Sequence, residues 1–239
     1  MPSLNGAVVL VTGANGGIGT HFVDDALARG AAKVYATARI PRTWDDERIV
    51  PFALDVTDPA SIAAAVVAAP DVTMLINNAG ANPPNASLLD VTNADIRANM
   101  ETNFFGPLFL ARAFAPILTA KPQSVLVDVH SIGSWYAYGG IYSASKAALW
   151  SATNSLRLEL APKGVHVMGV HMSYVDTRMA AHAEGPKMLP AELVRMVYDA
   201  AEVGEYEVLA DESTTQVKAA LSGPVEALYP ELRGLNGPG

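Results

Sequence analysis

The sequence alternates short runs of β-branched and other apolar residues with longer segments rich in Ala and Leu. The short runs occupy residues 7–11, 33–37, 50–54, 72–76, 124–129 and 165–171, and we predict that each is a strand. Helical segments separate most of them, and continuously apolar strands joined through helices are typical of a parallel sheet buried on both faces. The pattern therefore predicts an α/β fold with a doubly wound parallel sheet, flanked by helices on both faces.

The composition allows one large core and argues against several function classes. The 239 residues are 50% hydrophobic and 17% charged without a break in composition, so we predict one domain over 1–239 with a flexible tail at 234–239. A formal net charge of -8 has the wrong sign for a phosphate backbone, which argues against a nucleic-acid partner. The chain contains no Cys, which excludes disulfide and thiolate chemistry and fits a reducing compartment.

The apolar runs are too short for a membrane protein. Even the run over 62–69 falls far below the roughly 18 residues that span a bilayer, and the first five residues lack the basic start of a signal peptide. We therefore expect a cytoplasmic protein with no membrane partner.

Two long amphipathic segments are predicted helices. One runs over 92–118 and is interrupted at Gly106-Pro107, and the other runs over 141–160 without a breaker. Earlier in the chain, Asp58 and Pro59 are the expected cap and first residue of a shorter helix. Each long segment has an apolar face, so the two could meet across subunits.

A glycine-rich turn directly follows the first predicted strand and directly precedes a helix. It reads Thr12-Gly13-Ala14-Asn15-Gly16-Gly17-Ile18-Gly19. Glycines without a Cβ let the backbone approach a pyrophosphate, whose charge is stabilised at the positive end of the helix. A purely structural turn is the alternative for a lone glycine pattern, but the position at the first strand-helix junction favours a dinucleotide site.

The end of the second predicted strand indicates which dinucleotide. If the cofactor were NAD, an acid that binds its ribose would be expected at about this position. Here Ala38 occupies the position, and Arg39 follows it. An alanine cannot accept from the ribose hydroxyls, whereas a guanidinium can bind a 2′-phosphate. We therefore predict NADP, with a solvated surface arginine as the alternative for Arg39; Arg42 could share the role or be a bystander.

The glycine-rich turn, Asn77-Asn78-Ala79-Gly80, Ser131 and Tyr142-Ser143-Ala144-Ser145-Lys146 together resemble the short-chain dehydrogenase/reductase family over roughly residues 5 to 180. The four motifs follow the family's order. The glycines fit both the classical spacing, through Gly13, Gly17 and Gly19, and an extended spacing through Gly16; chain length and Asn-Asn-Ala-Gly favour the classical form. The resemblance implies a single-domain Rossmann fold and hydride transfer between NADPH and a ketone or aldehyde.

Tyr142 and Lys146 are the candidate acid-base pair. Four residues apart on a predicted helix, they share one face, which brings a cation beside the phenol and favours its ionised form. The resemblance implies that Tyr142 passes the proton to or from the substrate oxygen, while Lys146 also holds the nicotinamide ribose. A Tyr and a Lys paired on a surface helix are the alternative.

Two more residues complete the candidate catalytic set. Ser131 ends the fifth predicted strand, where open α/β sheets bind ligands, and its hydroxyl can hydrogen-bond the substrate carbonyl as charge develops; Ser134 is a possible substitute. The resemblance implies that Asn103 is the fourth member, holding a helix kink and a water that links Lys146 to solvent.

The resemblance also implies contacts along the cofactor. Asp55 would accept from the adenine amino group, unless Asp55 and Asp58 only cap the next helix. Asn77 and Asn78 are interpreted as mainly structural, in a turn that passes beside the adenosine ribose. The complete predicted set of cofactor contacts is Gly13, Asn15, Gly16, Gly17, Ile18, Gly19, Arg39, Asp55, Val56, Asn78, Ala79, Gly80, Tyr142, Lys146, Val175 and Thr177.

One departure from the family pattern follows the sixth predicted strand. Met172-Ser173 replaces the usual Pro-Gly, although the later Val175 and Thr177 match the family pattern. Because a turn without proline has a less restricted backbone, the position of the nicotinamide is less firmly predicted than that of the adenosine. Residues 177–189 are also short for a substrate lid.

The remaining candidates are weaker. The five His residues include no pair at the spacing of a metal motif, so no metal site is predicted. His130 beside Ser131 does not indicate a hydrolase, because adjacent strand residues point to opposite faces. Trp135, Tyr136 and Tyr138 either line a substrate wall or pack against the neighbouring helix.

The sequence therefore predicts an NADP-dependent carbonyl reductase or alcohol dehydrogenase acting on a small carbonyl or alcohol substrate. A non-catalytic protein that senses NADP(H), or a scaffold of the same fold, is the alternative. The resemblance further implies a homodimer or homotetramer.

Overall fold

All the strands in the described part of the chain belong to one parallel sheet. The computed structural model describes residues 2–233, so the predicted tail at 234–239 lies outside the described residues. The strands are β1 (Val8–Thr12), β2 (Lys33–Ala38), β3 (Ile49–Ala53), β4 (Met74–Asn77), β5 (Ser124–Val129), β6 (Val165–His171) and β7 (Glu207–Leu209). The sheet order is β3-β2-β1-β4-β5-β6-β7, and every neighbouring pair is parallel.

The six predicted strands are confirmed to within two residues at each end. The sequence missed β7, because its three residues, Glu-Val-Leu, are too few to form a β-branched run. Its place is decided by pairing with β6, in which Gly169 lies opposite Glu207.

Helices cover both faces of the sheet. They are α1 (Ile18–Ala28), α2 (Pro59–Ala68), α3 (Asn93–Met100), α4 (Gly106–Thr119), α5 (Ile141–Leu160), α6 (Pro190–Val203), α7 (Glu212–Ala220) and α8 (Val225–Leu228). Along β1, Val9 and Val11 join one core with residues of α1 and α6, while Leu10 joins a second core with residues of α2 and α4. This alternation confirms the doubly wound architecture, since the central strand β1 buries both of its faces.

The predicted short helix and the second long helix are present as expected. Asp58 caps α2 by accepting from the Ala60 amide at 2.9 Å, and Pro59 is the first helical residue. The α5 helix has the predicted bounds.

The predicted interruption at Gly106-Pro107 is wrong. The backbone stays helical from α3 through α4, and the irregular part is a π-helical turn at Glu101–Phe105, just before Gly106. Pro107 is tolerated because it lies in the first turn of α4. A Cβ on Gly106 would lie 2.9 Å from Val56 Cγ2, so the glycine allows this helix to pack closely on the chain after β3.

The sheet order places a crevice at the carboxyl ends of β1 and β4, where the winding reverses direction. The glycine-rich turn leaves β1 at this edge, and the Asn78–Gly80 turn leaves β4 beside it. Among residues 2–233, no helix is long and apolar enough to cross a membrane.

Candidate active site

The glycine-rich turn forms a backbone cradle at the start of α1. Gly13 and Gly17 have φ values of 68° and 55°, a region that favours glycine. Gly17 caps α1 without a side-chain hydrogen bond, so the first amides of the helix have no capping side chain. Such amides and the helix dipole suit a pyrophosphate, and the residues present therefore fit a dinucleotide.

The geometry resolves which glycine spacing operates. A Cβ on Gly19 would lie 2.1 Å from the Gly13 carbonyl oxygen, so Gly19 is required for the turn to close on the helix. A Cβ on Gly16 would meet nothing within 4 Å. Gly13, Gly17 and Gly19 are thus the structurally demanding positions, as in the classical spacing.

The turn after β4 is locked to the end of β1. The amides of Asn78 and Ala79 each donate to Thr12 Oγ1 at 2.9 Å, and Asn78 Nδ2 donates to the Thr12 carbonyl at 2.8 Å. The interpretation of Asn78 as mainly structural agrees with these contacts. A Cβ on Gly80 would lie 3.8 Å from Lys146 Nζ, so this turn also reaches the candidate catalytic lysine.

The predicted 2′-phosphate end lies where β2 stops. Arg39 is exposed, whereas the Arg42 guanidinium lies 3.6 Å above the Trp44 ring. Asn15 braces the same loop, because its Nδ2 donates to the Ile40 carbonyl at 2.6 Å and its Oδ1 accepts from the Arg42 amide at 3.2 Å. Arg39 is therefore better placed than Arg42 to meet a phosphate.

Asp55 does not cap the next helix, a role that Asp58 fills. Its Oδ1 accepts from the amide and the hydroxyl of Thr57 at 2.9 and 2.7 Å. These hydrogen bonds lower the pKa of Asp55, and the charge of Arg39 lowers it further. Ala38 pairs with Ala53 across β2 and β3, so Arg39 and Asp55 follow neighbouring strand ends.

Ser131 and Tyr142 are brought together from different elements. β5 ends at Val129, so Ser131 follows the strand in extended backbone, and its Oγ accepts from the Gly133 amide at 3.0 Å. A Cβ on Gly133 would lie 3.4 Å from both Ser131 Oγ and Tyr142 Cε1, so the two side chains lie side by side. Desolvation raises the pKa of Tyr142, and the neighbouring Ser131 hydroxyl opposes the rise. The Tyr142 phenol is therefore held in its protonated form.

Lys146 is buried beneath Tyr142 on the same helix. Its Nζ donates to the Val129 carbonyl at 2.7 Å and lies 5.8 Å from the centroid of the Tyr142 ring. Burial lowers the pKa of Lys146 to about 8. The lysine thus titrates close to neutral pH.

Asn103 lies fully buried in the π-helical turn. Its Oδ1 accepts from the Ala81 amide at 2.8 Å, and its Nδ2 lies within 3.1 Å of the Ala81 carbonyl, Asn99 Oδ1 and Ser145 Oγ. The side chain connects the irregular turn to the chain after β4 and to α5. The irregularity therefore coincides with the residue expected to hold it.

The predicted nicotinamide end of the site lacks Pro-Gly and is held by other residues. The amide and hydroxyl of Ser173 donate to Asp211 Oδ2 at 2.7 and 2.8 Å. Further along, a Cβ on Gly17 would lie 3.2 Å from Thr177 Cγ2, and Val175 is buried and bridges to Met188. Asp211 thus supplies the constraint that a proline would have provided, and no local sequence signal connects it to Ser173.

The loop after Ser131 divides into packing and exposed parts. Trp135 is buried and stacks on His171 with ring centroids 4.0 Å apart, so it packs the core. Tyr136 and Tyr138 are more exposed and cluster with Tyr229 near the C-terminus. Ser134 is buried with its amide donating to the Ser131 carbonyl, so it supports Ser131.

Sequence reasoning missed Asp128, a fully buried acid near the end of β5. A single acid within the apolar run of β5 was the available signal. Within residues 2–233, no group of three or more His, Cys, Asp or Glu side chains is arranged to hold a metal ion.

Comparisons with known proteins agree with this geometry. A family model described as short chain dehydrogenase matches residues 7–187. The short-chain dehydrogenase PC-15 of Penicillium crustosum is 38% identical over 184 residues, covering 71% of this chain and 66% of that protein. The NADPH-dependent 1-acyldihydroxyacetone phosphate reductase of Schizosaccharomyces pombe is 32% identical over 239 residues, covering 95% of this chain and 78% of the reductase.

A solved structure is also similar. The crystal structure of a short chain dehydrogenase from Burkholderia cenocepacia J2315, in complex with NADP, has a TM-score of 0.90 and 35% identity, and covers 97% of this chain and 99% of that one. The chain belongs to the short-chain dehydrogenase family. Its fold is the Rossmann fold of the classical members, as the motifs predicted.

The cradle makes a prediction about stability. Gly19→Ala places a methyl group against the Gly13 carbonyl, and such overpacking costs about 1–3 kcal/mol. At roughly 2–4 °C for each kcal/mol, the Tm should fall measurably in a circular dichroism melt. Gly16→Ala, which adds the same methyl group in open space, is the matched control and should melt close to the parent. Equal Tm values for both variants would contradict the close approach.

Proposed function

We propose that the protein is an NADP-dependent oxidoreductase that reduces a ketone or aldehyde with NADPH and oxidises the corresponding alcohol in reverse. The observation that carries the proposal is the convergence of Ser131, Tyr142 and Lys146 at the carboxyl edge of the sheet, beside the glycine cradle. The Schizosaccharomyces pombe relative is named an NADPH-dependent reductase, and the Burkholderia cenocepacia structure holds NADP. Both names support the assignment of cofactor and reaction.

Residues at both ends of the crevice would hold the cofactor. The amides at the start of α1 would bind the pyrophosphate, and Arg39 beyond Ala38 would bind the 2′-phosphate. Lys146, close to Gly80, would hold the nicotinamide ribose. When bound, NADPH supplies the hydride and NADP⁺ accepts it.

Side chains of the protein would transfer the proton that accompanies the hydride. The Ser131 hydroxyl orients the substrate oxygen, and the Tyr142 phenol, whose pKa burial raises, holds the proton that a carbonyl needs on reduction. Lys146 Nζ lies 5.8 Å from the centroid of the Tyr142 ring on the same helix. Because reduction consumes a proton and oxidation releases one, reduction should be favoured at lower pH and alcohol oxidation at higher pH.

Replacing Tyr142 tests the proton donor. Tyr142→Phe keeps the ring and removes the hydroxyl, so turnover with a panel of prochiral ketones should fall by at least about a hundredfold. NADPH binding, followed by fluorescence titration, should be nearly unchanged. A variant with a rate close to that of the parent would place the proton donor elsewhere. Binding of NADPH by the parent without turnover of any carbonyl would instead indicate a sensor or scaffold.

The cofactor preference should invert when the end of β2 is changed. Ala38→Asp supplies an acceptor for the ribose hydroxyls of NAD and repels a 2′-phosphate, and Arg39→Leu removes the attracting cation. A charged hydrogen bond contributes roughly 1.5–3 kcal/mol, so the KM for NADPH should rise about ten- to several-hundredfold while NADH use is spared. Arg42→Leu is the matched control, because Arg42 stacks on Trp44. A parent that prefers NADH, or an Arg39→Leu variant without effect, would overturn the NADP assignment.

We also propose that the protein is at least a dimer. The outer face of α3 and the π-helical turn presents a groove in which Ile96, Met100 and Phe105 lie beside Asn93, Arg97 and Glu101. On α5, Leu158 is 78% exposed. The apolar side chains of both helices suit a contact between two subunits.

Light scattering at micromolar concentration measures the assembly directly. We expect a mass of at least twice the 25.1 kDa of one chain. A tetramer would agree with the proposal, whereas a monomeric mass would contradict it.

A further inference from the structure

Asp128 is a buried acid that joins four elements beneath the candidate active site. Its Oδ1 accepts from Asn77 Nδ2 at 2.8 Å, and its Oδ2 lies 2.6 Å from Thr153 Oγ1. The same Asn77 amide donates to the Pro107 carbonyl at 3.1 Å. The side chain of Asp128 therefore links β4, β5 and α5 and, through Asn77, α4.

These contacts hold the helix that carries Tyr142 and Lys146. Thr153 follows Lys146 by two helical turns on the same face of α5. Lys146 Nζ donates to the carbonyl of Val129, and Thr153 meets the side chain of Asp128. Asp128 and Val129 of β5 thus hold α5 at two points along its length. These two contacts set the position of Tyr142 and Lys146 relative to Ser131.

The distances around Thr153 indicate where a proton lies. Thr153 Oγ1 is 2.6 Å from Asp128 Oδ2 and 2.8 Å from the Leu149 carbonyl oxygen. A hydroxyl has one hydrogen, and a carbonyl oxygen and an ionised carboxylate both only accept. With Asp128 ionised, one of these buried contacts would join two oxygens without a hydrogen between them. With a proton on Oδ2, Asp128 donates to Thr153 and Thr153 donates to Leu149, so both contacts are hydrogen bonds.

We propose that Asp128 is a positioning residue for the Tyr142–Lys146 pair, and that it acts as a neutral carboxylic acid whose proton is donated to Thr153. A neutral Asp128 places no negative charge beside Lys146. It therefore does not raise the pKa of that lysine, as an ionised Asp128 would. The positioning role rests on the proposed function, whereas the placement of the proton does not.

The surroundings of Asp128 support a neutral acid. Burial raises the pKa of Asp128, and the hydrogen bond that Asn77 donates to its Oδ1 opposes the rise. The charged groups that face it, Lys146 and Arg157, are both on α5 and also lower its pKa. β4 and α4 present the neutral Asn77 and Pro107 carbonyl, and β6 places Gly169 opposite it.

Melting curves of the Asp128→Asn variant and the parent, measured across a range of pH, test whether Asp128 is protonated in the folded protein. Asparagine offers an N–H to Thr153 and an oxygen to Asn77, the same pattern as the neutral acid. A folded pKa above the unfolded value means that the parent loses stability as pH rises from about 4 toward the folded pKa, while the variant does not. The Tm of the variant minus that of the parent should therefore grow between pH 4.5 and 7.5, by roughly 2–4 °C or more.

A difference that stays flat or shrinks over this range would mean that Asp128 is already ionised at pH 4.5, and it would overturn the proton assignment. The exposed Asp24→Asn is the matched control for the loss of one carboxyl group. Its difference from the parent is subtracted at each pH.

Steady-state kinetics test the positioning role. Asp128→Ala should lower kcat by about tenfold or more, because the helix carrying the pair is released, with the KM for NADPH little changed. Asp128→Asn should restore kcat to within about twofold of the parent. Thr153→Val keeps the shape and removes only the hydroxyl, so it should also lower kcat, and it replaces the alanine variant if that variant does not fold.

Folded Asp128→Ala or Thr153→Val variants with the kcat of the parent would overturn the positioning role. A parent without any NADPH-dependent turnover would refute the proposed function and the positioning role together. The melting comparison would still show whether Asp128 carries a proton.

Discussion

The parallel register of β1, β4, β5 and β6 is the constraint on which the candidate site depends. Val11 pairs with Ile76, Asn77 with Asp128, and Val129 with Val170, so four carboxyl ends reach one edge of the sheet. The turns that follow these strands carry the candidate functional groups, and a slip of one residue would send alternate side chains to the opposite face. Residues far apart in sequence therefore form one site because the strands fix their height.

Buried polar groups stabilise this edge only as a connected set. Asn103, Lys146 and Asp128 are nearly inaccessible to solvent, and each would be costly there without partners. Asn103 is bound to Ala81, Lys146 to the Val129 carbonyl, and Asp128 to Asn77 and Thr153. The same contacts that satisfy these groups also orient α5, so stability and the geometry of the Tyr142–Lys146 pair depend on the same bonds.

Two local irregularities near the site are compensated by the structure around them. The turn that lacks Pro-Gly is tied by Ser173 to Asp211, the residue that also caps α7. The helix that contains Pro107 stays continuous because a π-helical turn precedes it. In both places a local irregularity is absorbed by a hydrogen bond or a change of helical pitch, and the edge of the sheet keeps its shape.

The sequence alone determined the fold class, six strands and the glycine cradle, and placed Tyr142 and Lys146 on one helix face. These features follow from local periodicity and from the absence of Cβ atoms, which neighbouring residues reveal. The tertiary structure alone decided the pairing of β7, the helical path through Pro107, the tie of Ser173 to Asp211 and the burial of Asp128. Each of these depends on a partner far away in sequence, and no local pattern specifies which distant groups share a buried hydrogen bond.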